Sequence, residues 1–172
     1  MSDGLVPYVV VCVASMACVT DIGRRRIPNV LTFGAAAAAV VFHGAVGGGH
    51  GLLLALSGCG VGLLLFLPFF ALGGMGGGDV KLLAALGAWV GPGDAVWLAI
   101  YASLAGGVLG LFVAMSRNYL GTAVRNLKSM IVSWWLTGPR PLPAMTLEDS
   151  KAPRLAYAVP MLIGAMVTLW FR

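Results

Sequence analysis

Two carboxylates stand apart from the rest of this chain by their neighbours. Asp79 closes a glycine run, Gly73-Gly74-Met75-Gly76-Gly77-Gly78-Asp79-Val80-Lys81. Asp21 ends an apolar run in Thr20-Asp21-Ile22-Gly23-Arg24-Arg25-Arg26-Ile27-Pro28-Asn29. An ionisable group at membrane depth is costly and marks function by default. The chemistry open to a close pair of carboxyls is aspartic proteolysis. One takes a proton from the attacking water; the other donates to the carbonyl oxygen and later to the leaving amine. Close like charges do not both ionise readily, so one pKa rises and the pair titrates as a unit.

Each acid also has a plainer reading. Asp21 reads as a solvated acid at a helix end beside three arginines, although an acid there opposes the helix dipole by about 0.3–1 kcal/mol. Asp79 reads as a helix cap, with Lys81 a topology charge. Against this stands the glycine run, which disfavours helix and lets backbone bend tightly and approach a bound peptide. Irregular backbone at membrane depth is tolerated where it is buried or lines a cavity. No Ser/His or Cys/His arrangement competes, because His43 and His50 fall near the opposite face in a six-span topology.

The elements that must hold the acids are apolar helices. Of 172 residues, 59% are hydrophobic and 10% charged, against about 25% charged in soluble domains. An all-α polytopic membrane protein follows, with a single membrane-embedded domain over residues 1–172. Six spans are expected, at about 5–20, 28–46, 51–72, 80–91, 95–115 and 155–171. Pro28 suits a first helical turn and Asp94 an N-cap, while Pro160 is tolerable inside the last span. With six spans, every one of the eleven basic residues except Arg172 falls on one side. The positive-inside rule makes that side cytoplasmic and puts both termini outside. Asp21 and Asp79 then share the cytoplasmic face.

The remaining features bear on packing and placement. No positive charge precedes the first apolar run, so that span is expected to be retained and not cleaved as a signal peptide. The polar segment about 116–153 is expected in the cytoplasm. Within it Arg125, Lys128, Ile131, Trp134 and Trp135 suggest an amphipathic helix on the inner surface. Pro139, Pro141, Pro143 and Pro153 are expected to break regular structure beyond that helix. A net charge of +5 fits topology and not a nucleic-acid groove. Cys12, Cys18 and Cys59 form no CxxC and are expected to be buried free thiols, with no metal site. Ala35–Ala39, the glycine-rich stretch 47–51 and Gly106-x-x-x-Gly110 are small-residue packing signals.

Taken together these residues resemble the type IV prepilin peptidase family, membrane aspartic proteases with a GxGD motif. Here the motif is Gly76-Gly77-Gly78-Asp79, and the family's D…IPN pattern is matched by Asp21 and Ile27-Pro28-Asn29. Ala156-Tyr157-Ala158-Val159-Pro160-Met161 is similar to its last-span signature. The resemblance implies cleavage of prepilin or pseudopilin precursors after a short basic leader, at the cytoplasmic face of the bacterial inner membrane, without a cofactor. It carries over Asp21 and Asp79 as the catalytic pair, with Gly76, Gly78, Lys81 and Asn29 as supporting or substrate-binding positions. Longer members hold a cysteine-bearing cytoplasmic insert between the first two spans and also N-methylate the pilin. Only residues 21–27 lie there in this chain, so it resembles the short branch serving Tad/Flp-type pili, and methyl transfer is not expected. The rival readings are a GxGD protease acting on other membrane substrates, a transporter or scaffold using the acids to bind ions, and a homologue that has lost turnover.

Overall fold

The computed structural model describes residues 4–138 and 156–171, and all regular structure among them is helical. The elements are α1 (Leu5–Arg24), α2 (Asn29–Ala71), α3 (Gly77–Val90), α4 (Pro92–Ser116), α5 (Leu120–Thr137) and α6 (Ala158–Trp170). Arg140, Lys151, Arg154 and the expected breaks at Pro139, Pro141, Pro143 and Pro153 lie outside the described residues.

Helices α1, α2 and α4 are long and apolar enough to cross a membrane. Helices α3 and α6, at 14 and 13 residues, fall short of the roughly 20 residues that a bilayer core requires. Large apolar side chains such as Tyr8, Val19, Val30, Val41, Leu53, Val108 and Phe112 are exposed on the outer surfaces. Such an apolar exterior suits lipid and would be an aggregation hazard in water.

The 43 residues of α2 are not one rod. Gly48 has φ 56 and ψ −138, outside any helical conformation. That positive φ is one that L side chains rarely adopt. The first half of α2 runs beside α3 in the same direction, since Asn29 meets Lys81 and Ala35 meets Trp89. The second half runs the other way, with Gly58 against Gly87 and Gly62 against Leu83. The chain therefore reverses within the glycine-rich stretch that the sequence marks.

Helix α3 is the centre of the structure. Val80 and every residue from Leu82 to Val90 are buried, enclosed chiefly by the two halves of α2 and by α4 and α1. Lipid supplies no hydrophobic drive between helices, so association rests on close backbone contact and hydrogen bonds. Both are present. Glycines meet at Gly58 and Gly87, Gly164 of α6 lies on Ala102 of α4, and Trp89 Nε1 donates to the Ala35 carbonyl at 2.9 Å. His43, expected at the interface, is half-buried, with Nε2 3.1 Å from the Trp89 carbonyl.

Four local expectations are corrected. Pro28 is not in the first turn of α2 but precedes it in an extended conformation (φ −62, ψ 133), which blocks helix from running back into the α1 connection. Gly77, Gly78 and Asp79 are already helical, as the first turn of α3. Asp94 lies inside the first turn of α4; the cap is Gly91 at φ 87, followed by Pro92. The cysteines are free but not buried: Cys12 is exposed, Cys18 and Cys59 partly so. On a lipid-facing helix surface, exposure in the bare protein is no cost to an apolar thiol.

The glycine contact yields a test. A Cβ at Gly58 would collide with the Gly87 carbonyl, whereas one at Gly60 meets open space. Gly58→Ala should lower stability by about 1–3 kcal/mol. Gly60→Ala should be neutral or stabilise by up to about 1 kcal/mol. Thermal unfolding of the two variants in detergent checks the difference.

Candidate active site

The cleft is built from helix ends. Asp21 occupies the last turn of α1, which Arg25 closes in the left-handed conformation (φ 50) with its N–H on the Asp21 carbonyl at 2.8 Å. Asp79 occupies the first turn of α3, after a turn in which Gly73 has φ 77. The connection Arg25–Pro28 crosses directly over that first turn. A Cβ on Gly78 would lie 3.3 Å from Ile27 Cβ, so glycine lets the connection sit close.

The result is a cleft of about 460 Å³ lined by Asp21, Arg25, Arg26, Ile27, Pro28, Asn29, Gly76, Gly77, Gly78 and Asp79. Five positions singled out in the sequence, Asp21, Asn29, Gly76, Gly78 and Asp79, thus converge on one space. Lys81 does not line it. Its Nζ donates to Asn29 Oδ1 at 3.0 Å and sits 5.3 Å from the centre of the Phe33 ring. It ties α3 to the start of α2 beside the cleft. No group of three or more potential metal ligands occurs among the described residues.

The two acids are held differently. Asp79 stands one residue before the buried apolar stretch of α3. Burial pushes its carboxyl up to about 7; the charge of Asp21 adds to the rise, and a backbone hydrogen bond at Gly76 opposes it. That bond has the reach of a capping box, in which the side chain of the third helical residue returns to the cap. Asp21 Oδ2 instead accepts the N–H of Ala158, the first residue of α6, at 3.2 Å. Desolvation outweighs the helix N-terminus at Asp79, because the dipole is worth only about 0.3–2 kcal/mol. The arrangement places a carboxyl raised toward neutrality in one cleft with a second carboxyl, and two such groups are what paired acid/base chemistry uses.

Sequence reasoning missed three participants. Arg25 and Arg26 line the cleft although they read as topology charges; their nearness to Asp21 was the available signal. Tyr157, a member of the last-span pattern with no role attached, places its side chain between α2 and α4 immediately before the Ala158 donor.

A chain with helices long and apolar enough to cross a membrane thus brings two carboxyls into one cleft. A family model described as "Type IV leader peptidase family" matches residues 8–111, more than half the chain and inclusive of Asp21 and Asp79. The chain belongs to the type IV leader peptidase family, and so to the peptidases of leader-bearing precursors. No curated protein and no solved structure matches it.

The raised Asp79 carboxyl makes stability fall with pH. An unfolded chain ionises Asp79 near 3.8, the folded one near 7. Between these values the native state holds the extra proton, so its advantage is full below the lower value and lost as pH rises through the upper. Asp79→Asn should flatten this decline between about pH 4 and 7. Thermal midpoints across that range, wild type against variant, measure it.

Proposed function

We propose that this protein is an aspartic endopeptidase that removes the short basic leader of type IV prepilin-like precursors, with Asp21 and Asp79 as its catalytic pair. The observation that carries the reading is that both acids line one cleft while Asp79 is raised to about 7. Asp79 begins the cycle protonated and hydrogen-bonds the scissile carbonyl oxygen. Asp21, as carboxylate, takes a proton from the water that attacks the carbonyl carbon. The tetrahedral intermediate collapses as the amine leaves with a proton, and the two acids return to their starting state with one proton between them. Removing either acid removes general acid–base catalysis, worth about 10²–10⁴ in rate.

In the membrane, α1, the two halves of α2, α3, α4 and α6 make six crossings of one embedded unit, α3 and α6 being short because they start at the cleft. Arg24, Arg25, Arg26, Lys81, Arg117, Arg125 and Lys128 then face the cytoplasm across the bacterial inner membrane. Helix α5 suits a resting place on the lipid surface. Its exposed Leu120, Val124, Leu127, Ile131 and Trp135 recur at helical spacing along one face. The precursor's apolar helix lies in lipid beside the spans and offers its leader to Asp21 and Asp79. The substrate is a Tad/Flp-type pilin, and the new N-terminus is left unmethylated.

Co-expression with a Tad/Flp-type prepilin tests this by gel shift and by the mass of the product N-terminus. Wild type should shorten the precursor and leave a free amine; Asp21→Asn and Asp79→Asn should each abolish shortening at equal expression. Cleavage surviving either substitution would sink the two-aspartate mechanism.

A further inference from the structure

The Asp21 carboxylate is positioned by a helix far away in the sequence. It accepts a backbone donor, the N–H of Ala158, at 3.2 Å. The first N–H groups of a helix have no partner within it, so this donor is free to hold an acid. Where it points depends on how the start of α6 is fixed.

Tyr157 fixes it. The residue precedes the donor and opens the helix ladder, its carbonyl accepting the Met161 N–H at 3.2 Å. Its ring stands edge-on to Phe66 of α2, with centroids 5.9 Å apart. On the α4 side the hydroxyl shares a hydrogen bond with Ser103. The ring also presses on the bare backbone of Gly106: a Cβ there would lie 2.9 Å from Cε2 and 3.0 Å from Cζ and Oη. The sequence offered Gly106 only as a generic small residue for helix packing; in the fold it is the seat of one aromatic ring. Further along α6, Gly164 lies on Ala102, with its would-be Cβ 2.6 Å from the Ala102 nitrogen, so α6 is seated along α4 as well. A rotation of the Tyr157 ring would therefore be felt first at Ala158.

We infer that Tyr157 is a positioning residue for the peptidase reaction: wedged between Phe66 and Gly106, it aims the Ala158 N–H that holds the Asp21 carboxylate in the cleft. The inference rests on the two-aspartate reading. Tyr157 lies beyond residues 8–111, so the family match does not assign it.

Two measurements on the full chain test it. The first needs no substrate. A double-mutant cycle of Asp21→Ala, which removes the acceptor, and Tyr157→Ala is followed by thermal unfolding. If Tyr157 acts through the Ala158–Asp21 bond, the two losses should be non-additive, as for residues sharing one network. Strictly additive midpoints overturn the inference whether or not the protein cuts a prepilin. The second is steady-state cleavage of a prepilin. Tyr157→Ala should lower kcat about tenfold or more, as expected for loss of a hydrogen bond to a charged group, with KM within about twofold of wild type. Tyr157→Phe keeps the ring and should restore kcat to within about threefold of wild type. Gly106→Ala, which displaces the ring, should lower kcat as Tyr157→Ala does. Should Tyr157→Ala fail to fold, Tyr157→Leu carries both tests. A raised KM at unchanged kcat would make Tyr157 a substrate contact and overturn the positioning role. Asp21→Asn in the same assay separates the readings. If it cuts normally, the two-aspartate mechanism fails. If it is dead while Tyr157→Ala retains wild-type kcat, only the positioning role of Tyr157 fails.

Discussion

Backbone contact between α2 and α3 is the constraint from which the cleft follows. Lipid offers no reward for bringing apolar side chains together, so two helices in it stay associated by surface match and hydrogen bonding. Gly58 and Gly87 provide the match, Gly62 extends it, and Trp89 adds a bond to the Ala35 carbonyl. With both halves of α2 pressed on it, α3 has almost no free surface. Its first turn, and Asp79 in it, is therefore carried to a fixed depth. The packing that holds this carboxyl begins about one turn beyond it, where Gly62 lies on Leu83 and Ala84, and continues to Gly58 on Gly87.

The two acids sit at helix ends of opposite polarity. Asp21 lies at the negative end of α1, an unfavourable place for an anion, and meets the positive end of α6 instead. Asp79 lies at the positive end of its own helix but is desolvated by the elements around it, and desolvation prevails. Three helix ends thus meet at one place. Each carboxyl is held by backbone groups, Asp21 by Ala158 and Asp79 by Gly76. Backbone groups make a stiffer support than flexible side chains, and paired carboxyls need it, because proton transfer tolerates little error in distance.

Much of this was legible in the sequence, for physical reasons that differ by residue. Asp21 and Asp79 were visible because charge is rare in an apolar chain, and the reversal near Gly48 because glycine clusters where the backbone turns. Asn29 and Lys81 were each marked, but not as partners; they are 52 residues apart and bonded to one another. Helix edges misled where intrinsic preference lost to packing. Gly77 and Gly78 are helical despite their poor propensity, with Phe70 and Ile27 packed so near that a Cβ on either would lie 3.3 Å from its neighbour. Pro28 and Asp94 carry good signals for a helix start, but Pro28 proved to be the cap and Asp94 to lie within the first turn. Tyr157 was illegible as a participant. Its neighbours Phe66, Ser103 and Gly106 come from two other helices, and periodicity within one segment carries no information about such a meeting.

The reversal at Gly48 bears on how the chain enters the membrane. Between Arg26 and Asp79 there is no Asp, Glu, Lys or Arg. In the six-crossing arrangement, the hairpin of α2 therefore moves nothing formally charged through the hydrocarbon, and its tip is a tight glycine turn and not a polar loop. On that proposal the pair would enter with no formal charge to move against the membrane potential. On the proposed topology Arg24, Arg25 and Arg26 would stay behind at its base.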